Sequence, residues 1–249
     1  VGFTPGTGNM DNGVTANPHT VSGLLPNTDY EFYVQADCGG TDQSLWAGPF
    51  SFTTLCATFT APYNYDVESA STTTSSVIED CWSSTPNNTS SSYRWDVDGS
   101  GGTPSSSTGP DGANSGSNYF YIEASSGSQG DVAYLTTPLV DVSALTTPSL
   151  QFFYHMYGAD VDTLAVEVSD DAGATWTNEL YIIGEQQTAS SDPWMLQLVD
   201  LGAYTGDIQV RFMAIRGGSY FGDISLDDIA ISELPTCIDP SALMAGNMT

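Results

Sequence analysis

Two adjacent carboxylates, Asp227 and Asp228, stand in the middle of GDISLDDIAIS, a stretch whose apolar residues otherwise follow the pattern of a β-strand. Neighbouring residues of a strand point to opposite faces, so one of the two carboxylates should point towards the core. A buried carboxylate without a partner is costly. The pair therefore suggests that a cation is bound there. The alternative is that both carboxylates accept hydrogen bonds from backbone amides at a β-bulge.

The chain carries few positive charges that could pair with these carboxylates. Among 249 residues, 30 are acidic and only three, Arg94, Arg211 and Arg216, are basic, which gives a formal charge of −27. Salt bridges can therefore satisfy few of the carboxylates. Nucleic acid and anionic membranes require basic patches, so neither is an expected partner. Calcium prefers oxygen ligands of this kind, and we expect it as a structural cofactor.

The composition indicates a folded extracellular protein. Hydrophobic residues make up 40% and aromatic residues 11%, whereas charged residues make up only 13%, so the polar surface is largely uncharged. This balance suits a secreted β-protein better than a disordered acidic tail. No apolar run approaches the roughly 18–20 residues of a membrane span, so we predict no membrane insertion. Without an initiator residue or signal peptide, the chain is interpreted as a piece of a longer secreted or cell-surface polypeptide.

Short strands separated by loops rich in Ser, Thr, Gly and Asn run through most of the chain. The strands include YFYIEAS, LQFFYHMYG, DTLAVEVS, WMLQLVDL and DIQVRFMAIRG, and the longest loop is DGSGGTPSSSTGPDGANSGSN. Little of this pattern is helical, and the strand spacing is typical of a sandwich or barrel. The sequence therefore predicts an all-β fold.

Both ends of the chain resemble parts of fibronectin type III modules. In residues 1–55, Leu25 to Tyr30 followed by EFYV has the pattern of a tyrosine corner, in which the Tyr30 hydroxyl bonds back to the preceding bend. This segment resembles the second half of such an immunoglobulin-like sandwich. Residues 236–249 resemble the first strand of a following module. The similar linkers after Cys56 and Cys237 favour a tandem array.

Residues 57–235 contain several motifs in a fixed order. They are Cys81-Trp82, Trp95, TGPDG (108–112), NYFYIEAS (118–125), LTTP (135–138), FFYHMYG (152–158) and GDISLDDIAI (222–231). This order is similar to that of the MAM domain, an extracellular jelly-roll β-sandwich of adhesion receptors, surface proteases and secreted bacterial proteins. The resemblance implies a non-catalytic adhesion or interaction module, often with a structural cation.

The resemblance also suggests where a cation would bind. In the MAM fold the first and last long strands lie near each other, so that Glu68 could converge with Asp227 and Asp228. Asp111 and Glu123 are the other expected donors. Carboxylates from distant loops, together with main-chain oxygens, would supply the six to eight ligands that calcium takes. We therefore predict a structural calcium site formed by these five residues.

Four widely spaced cysteines, Cys38, Cys56, Cys81 and Cys237, are disulfide candidates because the chain lacks zinc-ribbon spacing. Three pairings are open to them. One arrangement joins Cys38 to Cys56 and Cys81 to Cys237. Sequence alone does not choose among the pairings, and free or interdomain cysteines are alternatives.

Catalysis is not expected. The two histidines, His19 and His155, lie in a turn and within a strand, and the chain has no G-x-S-x-G motif and no lysine. Two binding functions remain. The first is a repeat of a large surface adhesin or filament, whose partners are neighbouring copies or another surface protein. The second is an accessory module that binds polysaccharide through exposed aromatics, for which the candidates are Trp46, Trp176, Trp194 and Tyr220.

Overall fold

The computed structural model describes residues 4–39, 42–72, 81–86, 92–99 and 101–235. These residues form strands and turns without a helix, which confirms the predicted all-β class. The chain divides into two compact units, residues 1–57 and 58–249. The strand predicted within residues 236–249 lies outside the described residues, as does Cys237.

The first unit is built on one antiparallel hairpin. Strand β1 (Asp29–Val34) pairs with β2 (Ala47–Thr53). The bond predicted for the tyrosine corner is present, since the backbone N–H of Leu25 donates to the Tyr30 hydroxyl at 2.8 Å. Phe32 and Phe50 contact each other across the hairpin with ring centroids 5.1 Å apart. Both remain 48% exposed, so this two-stranded sheet has no buried apolar core of its own.

The described residues of the second unit form thirteen strands in two sheets. They are β3 (Phe59–Thr60), β4 (Tyr63–Tyr65), β5 (Ser83–Thr85), β6 (Trp95–Asp98), β7 (Tyr119–Ile122), β8 (Val132–Thr136), β9 (Val140–Asp141), β10 (Pro148–His155), β11 (Thr163–Ser169), β12 (Thr177–Ile183), β13 (Met195–Asp200), β14 (Asp207–Ile215) and β15 (Ile224–Glu233). The first sheet has the order β13-β10-β15-β7-β6, with β4 also paired to β15. The second has the order β12-β11-β14-β8-β5, with β3 and β9 joined to it through β14.

The core lies between the two sheets, as period-2 alternation requires. Along β14, Ile208, Val210, Phe212 and Ala214 are fully buried and alternate with partly exposed residues. Phe212 meets Phe152 of β10 edge to face, with ring centroids 5.0 Å apart. This contact joins the middle of one sheet to the middle of the other, so the sandwich arrangement follows from the alternating apolar residues of each strand.

A long segment between β6 and β7 covers the other face of the first sheet. We call residues 101–118 the covering loop. The Tyr119 hydroxyl donates to the carbonyl of Gly101 at 2.8 Å, and Trp194 Nε1 donates to the carbonyl of Gly112 at 3.1 Å. Thr108 Oγ1 donates to the carbonyl of Tyr157 at 3.0 Å. Because the loop is held at several points, strands β6 and β7 are buried on this face as well as on the core face.

The disulfide differs from the suggested pairing. Cys56 and Cys81 are bonded to each other, and Cys38 is free and exposed. The pairing of Cys38 with Cys56 is therefore wrong, and so is that of Cys81 with Cys237.

The β1–β2 ladder explains why Cys38 and Cys56 do not meet. It pairs Asp29 with Thr53 at one end and Val34 with Ala47 at the other. Cys38 follows the Val34 end and Cys56 follows the Thr53 end. A ladder of six residues is about 17 Å long, whereas a disulfide needs Cα atoms within about 7 Å.

Candidate functional site

The two adjacent aspartates of β15 lie at a β-bulge. On β10, Gln151 pairs with Ala230 and Phe153 pairs with Asp227, so two residues of β15, Asp228 and Ile229, oppose the single residue between them. Asp228 has a φ of 48°, in the left-handed region that aspartate tolerates better than most residues. The bulge shifts the alternation by one position and leaves both carboxylates on the side of the covering loop.

Asp227 is fully buried and holds the covering loop through its backbone. Its Oδ2 accepts the N–H groups of Asn114 at 2.9 Å and Ser115 at 3.2 Å, and its Oδ1 accepts the N–H of Asp228 at 2.8 Å. Burial raises the pKa of the Asp227 carboxyl to about 7, and repulsion from Asp228 adds to the shift. The three N–H donors offset only part of this cost.

Asp228 holds the same two residues of the loop through their side chains. Asn114 Nδ2 donates to Asp228 Oδ2 at 2.7 Å, and Ser115 Oγ donates to Asp228 Oδ1 at 2.9 Å. Asn114 and Ser115 are thus bound twice, by backbone to one aspartate and by side chain to the other. This is the hydrogen-bonded alternative considered for the two carboxylates.

Glu68 binds the end of the covering loop. Its Oε1 accepts the N–H groups of Ser117 and Asn118, both at 2.7 Å. Gly116 lies between Ser115, which binds Asp228, and Ser117, which binds Glu68. Its φ of 62° directs the turn towards Glu68. We refer to Glu68, Asp227 and Asp228, with residues 114–118, as the acidic latch.

Asp111 and Glu123 do not join the acidic latch. Asp111 is exposed, and its backbone N–H donates to the carbonyl of Ser190. Glu123 follows β7 and accepts hydrogen bonds from Ser105 Oγ and the Ser125 N–H. Across residues 4–39, 42–72, 81–86, 92–99 and 101–235, no three His, Cys, Asp or Glu side chains form a group arranged to hold a metal ion.

The chemistry of the latch nevertheless fits a hard cation. It combines three carboxylates with the carbonyl oxygens of Val67, Glu68 and Ala70, which lie 3.2–3.5 Å from Asn118 Nδ2. Its potential ligands are therefore all oxygens, which calcium prefers. Each carboxylate oxygen that accepts a single N–H still has a lone pair to offer. The predicted ligands Glu68, Asp227 and Asp228 thus remain a candidate set.

The arginines are engaged away from the latch. Arg94 pairs with Asp96 at 3.1 Å, and Arg211 pairs with Glu167 at 2.6 Å. Arg216 Nε donates to the carbonyls of Ala124 and Ser126 at 2.8 and 2.9 Å. These contacts leave the acidic latch to be stabilised by hydrogen bonds, by protons or by ions from solution.

One of the two histidines is buried beside an aromatic ring, and the other is paired with an exposed aspartate. His155 has no exposed surface, and its ring lies 5.7 Å from that of Trp194. Burial lowers the pKa of His155 to about 4, so that it is neutral at physiological pH. His19, in the first unit, contacts Asp11 at 2.9 Å on an exposed surface. Neither geometry places a histidine in a cleft beside a nucleophile.

The four aromatic residues considered for sugar binding differ in how far they are exposed and in what they contact. Trp194 is half-buried under the covering loop, against Tyr119 and His155. Trp176 is half-buried with the Arg211 guanidinium 4.1 Å above its ring. Tyr220 is 45% exposed and lies against Phe221, with ring centroids 4.0 Å apart. Trp46 belongs to the first unit and is 39% exposed.

Sequence reasoning missed the groups that complete the latch, namely Asn114, Ser115, Ser117 and Asn118. They belong to the run GANSGSN, whose glycines and short polar residues favour tight turns. That composition indicates a loop. Its donors are mostly backbone N–H groups, which every residue carries, so no residue type reveals them.

The sequence matches the family described as "MAM domain, meprin/A5/mu" over residues 79–237, more than half of the chain. The chain therefore belongs to the MAM family, whose modules are extracellular and of the adhesion type. This confirms the resemblance drawn from the motif order. The fibronectin type III assignments of the two ends stay predictions.

Among curated proteins, the chain is 34% identical over 117 residues to MAM domain-containing glycosylphosphatidylinositol anchor protein 1 of Homo sapiens, covering 46% of this chain and 12% of that protein. It is 35% identical over 140 residues to MAM domain-containing protein 2 of Mus musculus, covering 55% and 19% respectively. The chain thus spans less than a fifth of these relatives.

Among solved structures, the K1 cleaved adhesin domain of Lys-gingipain from Porphyromonas gingivalis W83 is similar, with a TM-score of 0.47 and 20% identity over 70% of this chain and 99% of that one. In the described part of this chain, no helix has the length and apolarity needed to span a membrane.

Proposed function

We propose that this chain is a non-catalytic extracellular adhesion module, a repeat of a larger surface adhesin or filament whose copies contact one another. The observation that carries the proposal is the closure of the first sheet by the covering loop in a member of the MAM family. An enzyme of this architecture would need an open cleft with its reactive groups exposed. Here Asp227 and His155, which lie on the covered face, are fully buried.

The acidic latch supports a structural role for its carboxylates. Glu68, Asp227 and Asp228 come from two distant segments and hold one turn between them. A module in an adhesin must keep its surface fixed under load, and a latched loop serves that purpose. The relatives named as glycosylphosphatidylinositol-anchored proteins support a location at the cell surface.

Calcium is the cofactor that we propose for the latch. Glu68, Asp227 and Asp228 would hold it, with carbonyl oxygens of residues 67–70. When bound, the ion would supply positive charge to a site where burial opposes the ionised form of Asp227. Calcium would therefore stabilise the folded state by binding it and not the unfolded chain.

Thermal melting with calcium and with chelator tests this role. We expect wild type to melt at a higher temperature in calcium, and Asp228→Asn to lose most of this difference. Asp170→Asn is the matched control, because Asp170 is an exposed aspartate in the turn between β11 and β12. An equal calcium effect in wild type and Asp228→Asn would mean that calcium does not bind at the latch.

Bead aggregation tests adhesion between copies. Beads that carry the chain should cluster in calcium and disperse in chelator, whereas beads that carry Asp228→Asn should cluster less. Mixing coated with uncoated beads controls for non-specific sticking. If coated beads do not cluster under any of these conditions, copies of this chain do not bind each other and the filament part of the proposal fails.

Polysaccharide binding is the second candidate function. The exposed Tyr220, whose ring contacts that of Phe221, is the feature of the second unit that favours it. Aromatic faces of this kind stack on apolar faces of sugars. Affinity electrophoresis through gels containing polysaccharides tests it with Tyr220→Ala against Tyr181→Ala, another exposed tyrosine. Retardation that only Tyr220→Ala abolishes would favour this function.

A further inference from the structure

A second pair of carboxylates lies at the end of the β7–β15 ladder. The ladder pairs Ile122 with Ile224, so one residue further Glu123 and Asp223 oppose each other. Directly opposed residues of antiparallel strands have Cβ atoms about 5 Å apart, and like charges in these positions destabilise a sheet. Asp223 immediately precedes β15 and is four residues from Asp227, or roughly 13 Å along an extended chain, so this pair is separate from the acidic latch.

Each carboxylate of the pair has one satisfied and one unsatisfied oxygen. Asp223 Oδ1 accepts the Ala124 N–H at 2.8 Å, and Glu123 Oε1 accepts Ser105 Oγ at 2.8 Å and the Ser125 N–H at 3.0 Å. Asp223 Oδ2 and Glu123 Oε2 are buried and accept no hydrogen bond from the described residues. Asp223 has no exposed surface at all. A buried anionic oxygen without a partner is among the most costly groups in a protein.

The surroundings supply oxygens, and among the described residues no arginine forms an ion pair with either carboxylate. Ser105 and Thr108 of the covering loop lie against the pair, and Thr108 Oγ1 accepts the Asp223 N–H at 2.9 Å. Arg216 is near Asp223 in sequence, but its guanidinium donates to backbone carbonyls. Its Nε donates to those of Ala124 and Ser126, and its Nη1 donates to that of Gly217. Burial raises the pKa of Asp223 to about 7 and the charge of Glu123 adds to the shift, while hydrogen bonds from the Ala124 N–H and the Thr103 side chain oppose it.

We propose that Glu123 and Asp223 bind a divalent cation, calcium, between their unpartnered oxygens, at a site distinct from the acidic latch. Two carboxylates, loop hydroxyls such as that of Ser105, main-chain carbonyls and water form the oxygen-rich ligand set that calcium takes. The ion would fasten the first half of the covering loop, as the latch fastens the second half. This inference does not depend on calcium at Asp228.

Counting bound calcium tests the proposal. Chelator-treated wild type, Glu123→Gln and Asp228→Asn would be equilibrated with calcium, and the bound metal measured per chain. We expect Glu123→Gln to bind one ion fewer than wild type and Asp228→Asn to keep that ion. Glu123→Gln should also melt at a higher temperature than wild type in chelator, because it removes the repulsion within the pair. If Glu123→Gln binds as many ions as wild type with unchanged affinity, the proposal is overturned and the pair is neutralised by a proton.

Two further measurements guard against a variant that does not fold. Asp223→Asn keeps the oxygen that accepts the Ala124 N–H, and it should lose the same ion as Glu123→Gln. In wild type and Asp228→Asn, terbium bound at this site should emit when Tyr121 is excited, and calcium should displace it. Tyr121 stands on the same face as the pair, opposite Ser225. The absence of such emission from both folded proteins would also overturn the proposal.

Discussion

Gly116 lies against Glu68 so closely that a Cβ atom at this glycine would overlap the carboxylate that holds the turn. Its φ of 62° also lies in the region that disfavours other residues. We therefore expect Gly116→Ala to lower the free energy of unfolding by about 2–3 kcal/mol, from backbone strain and from displacement of Glu68. Urea unfolding of the purified chain measures this change.

Gly206→Ala separates the two causes. Gly206 has a φ of 79° in the turn before β14, and nothing lies within 4 Å of the position of its missing Cβ. This variant should lose only about 1 kcal/mol, the cost of the backbone conformation. Equal losses at both positions would mean that the fit of Gly116 against Glu68 contributes nothing.

Asp227→Ala should be the most damaging single change in the latch. It leaves the N–H groups of Asn114, Ser115 and Asp228 without their acceptor. A fully buried unsatisfied donor costs about 1–3 kcal/mol, and since these three are only part-buried we expect a total loss of about 2–3 kcal/mol. Asp170→Ala removes the same charge from an exposed turn and should change stability by less than about 0.5 kcal/mol. Trp194 fluorescence reports the release of the loop, because Trp194 is bonded to Gly112.

His155 should make stability depend on pH. Its pKa is about 4 in the folded chain against 6.5 in the unfolded chain. Its contribution is therefore complete above pH 6.5 and is lost as the pH falls towards 4, because the unfolded chain then binds the proton more tightly. The shift corresponds to roughly 3 kcal/mol.

His155→Phe isolates this contribution. Phenylalanine can occupy the place beside Trp194 without titrating, and Asp192 and Asp111, which act on His155, are unchanged. Asp223 and Asp227, whose raised pKa values make stability fall as pH rises, are present in both proteins and cancel in the comparison. Urea unfolding between pH 4 and 7 should show wild type losing stability relative to the variant as pH falls. Parallel curves would contradict the prediction.

The disulfide predicts a contrast among cysteine variants. Cys56 and Cys81 close a loop of about 25 residues, for which chain entropy predicts a stabilisation of about 3 kcal/mol. Cys56→Ser should therefore lower the melting temperature of the chain, and reducing agent should lower it in wild type. Cys38→Ser should leave it unchanged, since Cys38 is free and exposed. Peptide mapping without reduction checks the pairing directly.

Much of the fold was predictable because it depends on alternating apolar residues. The spacing of β15 even contains the bulge, since Ile224 and Leu226 are two apart, Ile229 and Ile231 are two apart, and the step between these pairs is three. The prediction that one of the two aspartates points towards the core between the sheets was wrong, because the bulge leaves both carboxylates on the side of the covering loop. The family followed from motifs whose order is kept along the chain.

The contacts of the covering loop were not predictable in the same way. Asn114 and Ser117 contribute N–H groups whose positions depend on the path of a loop without periodicity. Asp223 was overlooked because only the register of β7 against β15 shows that it lies opposite Glu123. The cysteine pairing failed for a similar reason, since nearness in sequence placed Cys38 and Cys56 at opposite ends of one hairpin.

The covering loop connects two strands that are already neighbours, with Asp98 paired to Tyr119 at the point where it leaves and re-enters the sheet. Any short turn could join β6 and β7 without altering the ladder. The β6–β7 ladder itself should therefore tolerate changes of length in this segment, whereas a deletion that removes residues 114–118 should cost the stability that the acidic latch contributes. Related modules can exchange this segment as a unit, provided that the replacement again presents hydrogen-bond donors to Glu68, Asp227 and Asp228.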